Sequence, residues 1–286
     1  MSVINTNVMS LNAQRNLSTS NASLGNTIQR LSSGLRVNSA KDDAAGLAIA
    51  ERMNSQVRGM NVAIRNANDA ISLSQTAEGA LGKIGDSLQR MRELAVQSRN
   101  ATNGTEDRAN LQAEFTELQS EIERVVDGTK FNGTALFDSD TDFAFQVGAG
   151  VEEVDTVNIS RTDLTAGKLA DLFTDATAPI TISDDTADDG TGAANSKAAI
   201  EAIDAAIKEV TTERANYGAA QNRFESIISN LQISAENVSA ARSRIMDADF
   251  AKETAELTRT QILTQAGTAM LAQANQAPQN VLSLLR

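Results

Sequence analysis

Apolar residues recur at helical spacing along most of this chain and switch to strict alternation in one short stretch. Near the start, Leu24, Ile28, Leu31 and Leu35 follow a 4-3-4 spacing, and Ile4 and Leu11 stand a heptad apart. This is a coiled-coil-like seam on a helix whose outer face is polar and uncharged. Ser32, Ser33 and Gly34 weaken that helix, and Asn38 to Asp43 reads as a loop. Asp42 or Asp43 is placed to cap the next helix. That helix is predicted from about Ala44 to Arg99. Its seam is Met60, Ile64, Ala67 and Ile71, then Leu81, Ile84, Leu88, Met91 and Ala95. Asn103-Gly104 is a turn. A third helix follows Thr105, with Leu111, Phe115, Leu118, Ile122 and Val125 on one face, and Asp127-Gly128 ends it.

From Lys130 to about Asp175 the period changes to two. Phe143, Phe145 and Val147 alternate with small or polar residues, as do Val157 and Ile159 beyond the Gly148-Ala149-Gly150 break, which predicts one or two β-hairpins. Residues 176–196 are poor in large apolar side chains and hold four Asp, and read as an acidic surface loop. Then comes the strongest periodicity. Alternating steps of 3 and 4 from Ile200 reach Ile245 through fourteen positions, eleven of them apolar. The polar breaks are Arg214, Gln221 and Arg242. A coiled-coil helix of that extent is about 70 Å long. The seam is lost at Asp247 and Asp249, and a new uncharged pattern begins with Phe250, Leu257, Ile262, Leu263, Met270 and Leu271.

The predicted fold class is mainly α: a long antiparallel coiled-coil or helical bundle with small β-hairpins. Its domains are discontinuous, each built from both halves of the chain. Residues 1–43 with 246–286 are expected to pair as a terminal domain. Residues 44–175 with 197–245 are expected to form a helical bundle with hairpins, with the acidic loop 176–196 between its halves.

Charge sharpens this picture. Residues 1–40 contain no Asp or Glu and only Arg15, Arg30 and Arg36, and residues 260–285 contain no charge at all. All 37 acidic residues lie between them. Two amide-rich, charge-poor ends are poorly suited to a free surface, and fit helix packing between copies with little burial of charge. The pI near 4.6 argues against nucleic acid as a partner. No apolar run reaches the roughly 18 residues of a membrane span. The start shows no basic region followed by an apolar core, so a cleaved secretory signal is not expected.

Candidate chemistry is sparse. The chain has no Cys and no His, which removes thiol chemistry and the commonest acid/base and metal ligand. The Asp184-Asp185-Thr186-Ala187-Asp188-Asp189-Gly190 run fails as a calcium loop, because Ala187 and Ser196 fall where ligands are required. Glu152, Glu153 and Asp155 read as a solvated acidic turn. No cofactor and no enzyme activity are expected.

The motifs resemble those of bacterial flagellins. SSGLRVNSAKDDAAGLAIAERM runs from Ser32 to Met53, LQRMRELAVQS from Leu88 to Ser98, and Lys130-Phe131-Asn132-Gly133 precedes the hairpins. GAAQNRFE runs from Gly218 to Glu225, RSRIMDADFAKETAELTR from Arg242 to Arg259, and the chain ends in NVLSLLR. Tyr217 stands where the family is expected to carry Leu. The resemblance covers roughly residues 1–175 and 197–286, and the acidic loop marks a nearly empty insertion point, as in a short form lacking large outer domains.

The resemblance implies a structural subunit that polymerises into the extracellular flagellar filament for swimming motility. It implies export without a cleaved signal through the flagellar type III apparatus. The implied partners are other copies, an export chaperone on the C-terminal segment, and filament cap and hook-junction proteins; neither nucleic acid nor a membrane is among them. It implies filament-core packing through Ile4, Leu11, Leu24, Ile28, Leu31, Leu35, Leu257, Leu263, Met270, Leu271, Leu282 and Leu285. It further implies recognition of the monomer by Toll-like receptor 5 through Gln89, Arg90, Leu94, Gln97 and Glu114. The alternatives are a hook–filament junction protein, or a secreted coiled-coil adhesin or signalling ligand.

Overall fold

The computed structural model describes residues 6–172, 180–182 and 191–283. Five helices carry the chain: α1 (Val8–Ser33), α2 (Ala44–Ser98), α3 (Thr105–Gly128), α4 (Thr191–Met246) and α5 (Phe250–Ser283). Between α3 and α4 lie two antiparallel hairpins. One joins β1 (Lys130–Phe131) to β2 (Thr134–Ala135), and the other joins β3 (Phe143–Gln146) to β4 (Thr156–Ile159). The fold is mainly α, as the periodicities require, and the period-2 stretch forms β3 and β4.

The chain divides into two compact units, Met1–Val57 with Glu236–Arg286, and Arg58–Ala235. In the first, α1 and α5 run antiparallel. Asn7 Nδ2 donates to the Ala274 carbonyl at 2.7 Å near one end, and Arg30 meets Glu253 at 3.4 Å near the other. The breaks near residues 35 and 247 are joined to each other. Arg36 N donates to Met246 O at 2.6 Å, and Ala248 N donates to Gly34 O at 2.9 Å. Val37, Ala50 and Met246 make a small buried cluster over this junction. Gly34 ends α1 in the left-handed conformation, φ 70°, which a residue with a Cβ adopts at a cost. Asp43 caps α2, its Oδ1 accepting from Gly46 N at 2.8 Å. Asp42 instead closes the preceding loop by accepting from Asn38 N and Ser39 N.

The second unit holds the large core. Leu81, Ile84, Leu88, Met91 and Leu94 of α2, Phe115 and Ile122 of α3, and Ile203, Val210, Tyr217 and Phe224 of α4 are all buried there. Val157 and Ile159 of β4 close it on one side, and Phe145 of β3 meets Phe224 edge-on at 5.8 Å. Exposed ion pairs at the margin, Arg92–Asp204 at 2.7 Å and Arg90–Glu114 at 2.8 Å, join α2 to α4 and to α3.

The stretch expected as an acidic surface loop differs in two places. Residues 191–196 are the first turns of α4, consistent with the good helix propensity of the Ala-rich sequence that follows Gly192. Ile182 is fully buried, its carbonyl accepting from Ser98 Oγ at 2.6 Å and its N–H donating to Gln112 at 2.6 Å. A single Ile among polar residues gives no periodic signal, so sequence reading misses it. The Asp184–Gly190 run lies outside the described residues.

Candidate self-assembly surface

The α1–α5 pair is built inside out. Of the helix pairs in the described residues, these two run with their backbones closest. The side chains between them are small. Ser10, Thr27, Thr260 and Ala274 are the buried ones, and Gly267 lies against Leu17. Thr27 Oγ1 donates to Ser23 O at 3.0 Å and Thr260 Oγ1 to Glu256 O at 2.8 Å, so both buried hydroxyls are satisfied within their own helices. Ser10 Oγ reaches Asn275 Oδ1 at 2.8 Å across the pair. Small, self-satisfied residues permit close approach without burying charge.

The large apolar side chains point the other way. Met9 is 68 % exposed, Ile262 59 % and Met270 64 %; Val8, Leu11, Ile28, Phe250 and Leu263 are also exposed. Full burial of each is worth about 1.5–3 kcal/mol. α5 carries no charge beyond Arg259, and α1 carries no carboxylate. A second body covering these faces therefore gains apolar burial with little charge to desolvate.

The residues expected to pack a filament core separate accordingly. Leu24, Leu31, Leu257 and Leu271 are half-buried, flanking the seam, and half-buried Leu35 packs instead on the Val37–Ala50–Met246 cluster. Leu11, Ile28, Leu263 and Met270 face outward. Ile4, Leu285 and the side chain of Leu282 lie outside the described residues. The 4-3-4 reading centres the intrachain seam on Leu24, Ile28 and Leu31. In the structure its centre is Thr27, one residue away from Ile28, because two lone helices pack closest through their smallest side chains. The signal was the coincidence of Ser10, Thr27, Thr260 and Gly267 on facing stripes, which hydrophobic periodicity alone does not find.

A second patch lies on α2 and α3. Arg90 donates through Nε to Glu114 at 2.9 Å and through Nη1 to Glu93 at 3.0 Å. These hydrogen bonds, that to Glu114 foremost, hold the guanidinium pKa above its usual value. Gln89 and Gln97 are exposed on the same helix. Leu94 is not part of this surface. It is fully buried, because it lies on the core stripe of α2 with Leu88, Met91 and Ala95, where i+4 from an exposed Arg90 turns inward.

No group of three or more potential metal-ligating His, Cys, Asp or Glu residues occurs among the described residues. No helix among them is long and apolar enough to cross a membrane.

Comparison with known proteins supplies the family. Residues 4–142 match the model of the bacterial flagellin N-terminal helical region, and residues 200–285 match that of the C-terminal helical region. The chain is 48% identical over 285 residues to flagellin of Halalkalibacterium halodurans, covering 99% of this chain and 100% of that one. It is 44% identical over 305 residues to flagellin of Bacillus subtilis, covering 99% of each. Among solved structures, one from Vibrio parahaemolyticus assigned as a flagellar hook-associated protein aligns with TM-score 0.59. It covers 72% of this chain and 100% of that one at 15% identity, which speaks for the fold alone. With family models spanning most of its length and full-length relatives at this identity, the chain belongs to the bacterial flagellin family, in a short form.

Proposed function

We propose that this chain polymerises through its paired ends into the extracellular bacterial flagellar filament and serves there as the torque-transmitting subunit. A member of this family is a structural filament protein, not an enzyme. The observation that carries the mechanism is the inverted α1–α5 pair: small polar residues inside, Met9, Leu11, Ile28, Ile262, Leu263 and Met270 outside. A monomer has no use for that arrangement, whereas neighbouring copies would cover the exposed faces. In the same reading the chain is exported through the flagellar type III apparatus, meets a chaperone on its C-terminal segment, and adds beneath a filament cap next to hook-junction proteins.

Electron microscopy of purified protein with and without residues 1–40 and 260–286 tests this. The full chain should form long filaments and the truncated chain none. Truncated protein that still polymerises overturns the mechanism. A product limited to short rings would favour a hook–filament junction protein, and a chain active only as a monomer would favour an adhesin or signalling ligand.

The second reading concerns the monomer. Gln89, Arg90, Gln97 and Glu114 form one polar surface across α2 and α3, fixed by the Arg90–Glu114 pair, and are proposed to meet Toll-like receptor 5. Leu94 would act from below by anchoring α2.

A further inference from the structure

Methionine is the one side chain here that a mild two-electron oxidant can attack. The chain has no Cys, no His and no Trp, and its sole tyrosine, Tyr217, is buried. The thioether sulfur is the soft nucleophile that remains. The seven methionines differ sharply in access. Met60, Met91 and Met246 are buried, and Met53 is half-buried. Met9 and Met270 expose most of their surface. Met1 lies outside the described residues.

The two open sulfurs share one stretch of the α1–α5 pair. Both stand between the Asn7–Ala274 hydrogen bond and the Leu17–Gly267 contact. Met9 has exposed Val8 and Leu11 beside it. Met270 follows exposed Leu263 by seven residues, about two helical turns, and so lies on the same stripe of α5. These are the outward faces that neighbouring copies would cover in a filament.

We infer that Met9 and Met270 are modification sites at which a hydroperoxide, by converting each thioether to a sulfoxide, holds the chain monomeric. This rests on the assembly reading above and adds a control to it. With hydrogen peroxide, the sulfur lone pair attacks one peroxide oxygen. The S–O bond forms as the O–O bond breaks, and the proton on the transferred oxygen leaves with the departing hydroxide as water. Sulfur is oxidised by two electrons and the peroxide is reduced by two. The product turns a flexible apolar side chain into a polar one. Covering its oxygen with an apolar face that offers no donor is costly, so the oxidised faces no longer favour packing. Once copies cover them, the sulfurs are out of reach, and oxidation acts on the monomer rather than on the finished filament.

Monomer and filament treated with hydrogen peroxide, digested and followed by peptide mass spectrometry at each methionine test the sites. In the monomer Met9 and Met270 should gain oxygen about tenfold or more faster than Met60, Met91 and Met246, whose attack must await local opening. In the filament both should be protected. Oxidised monomer should need about tenfold or more protein to polymerise, and methionine sulfoxide reductases should restore the untreated value. Met9→Leu with Met270→Leu keeps volume and apolar character, so this double variant should polymerise as wild type does and ignore peroxide. Oxidation at equal rates in all the buried and exposed methionines overturns the sites. Oxidised wild type that polymerises unchanged, a double variant as peroxide-sensitive as wild type, or filaments whose Met9 and Met270 oxidise as fast as in the monomer overturn the control alone. Untreated wild type that forms no filaments overturns the assembly reading, and the control with it.

Discussion

Gly267 on α5 lies against Leu17 on α1 so closely that a Cβ at position 267 would be 3.2 Å from Leu17 Cδ1. That atom ends a half-buried flexible side chain, which can turn aside by a few tenths of an ångström. Alanine therefore fits, and it favours helix over glycine by about 1 kcal/mol. A β-branched residue adds a second carbon that cannot avoid the contact. Gly267→Ala should leave filament formation intact and slow proteolysis of the ends. Gly267→Val should separate α1 from α5, speed proteolysis and stop polymerisation, both read by timed digestion and electron microscopy.

The helices were legible because their apolar residues repeat. α2, α3 and α4 follow from the runs through Leu88, Phe115 and Phe224, and the Phe143–Phe145 alternation located β3. What escaped was held by single residues. Ile182 is buried with its backbone held by the side chains of Ser98, Gln112 and Ser196, a tertiary arrangement no local pattern encodes. Leu94 shares a helix with exposed Arg90, but four residues span 400° of helix, and that extra 40° carries it onto the core stripe. The seam of α1 and α5 was hidden because close packing selects small residues, which hydrophobicity-based reading discounts.

Tyr217 is the sole tyrosine of the chain, 1 % exposed, and its hydroxyl has no hydrogen-bond partner among the described residues. Burial first, and then the nearby Glu213 carboxylate, push its pKa up to about 12. The folded chain thus holds this proton more tightly than the unfolded chain, whose phenol titrates near 10. Stability from this group is intact below about pH 10 and is lost as pH rises towards 12, by up to about 3 kcal/mol. Phenolate absorbance of the native protein should appear only near pH 12. Tyr217→Phe should remove this alkaline loss and gain on the order of 1 kcal/mol at neutral pH, since no buried hydroxyl is left unpaired. Denaturant midpoints at pH 7 and pH 11 for both proteins check it, and a lower midpoint for the variant at pH 7 would contradict it.

Arg90 and Glu114 face solvent, and an exposed pair contributes only about 0–1 kcal/mol to folding. Arg90→Ala should therefore leave the thermal midpoint nearly unchanged. If the patch is a receptor surface, the same change should weaken Toll-like receptor 5 activation by about tenfold or more, the scale of a lost central arginine contact. Leu94→Ala should behave differently. It empties a core site at a cost of about 2–5 kcal/mol, so its effect on signalling should follow its effect on stability. A reporter assay at matched folded fraction separates the two. Equal signalling by wild type and Arg90→Ala would remove Arg90 from the proposed surface.

Met246 closes the small cluster with Val37 and Ala50 over the junction where Arg36 N and Val37 N both donate to its carbonyl. Truncation leaves the backbone bonds formally available but removes the apolar cover that keeps water from them. The cluster has few members, so neighbouring side chains have little with which to refill the space. Met246→Ala should cost about 2 kcal/mol, the low end for a buried Met because this one retains some exposure. The effect should be local. Amide exchange should accelerate at Arg36, Val37 and Ala248, whose N–H groups donate across the junction, while Leu88, Phe115 and Phe224 in the large core keep their protection. Uniform acceleration across both sets would mean that the cluster supports the whole chain, and unchanged exchange at Arg36 and Ala248 would mean that the backbone bonds hold the junction without it.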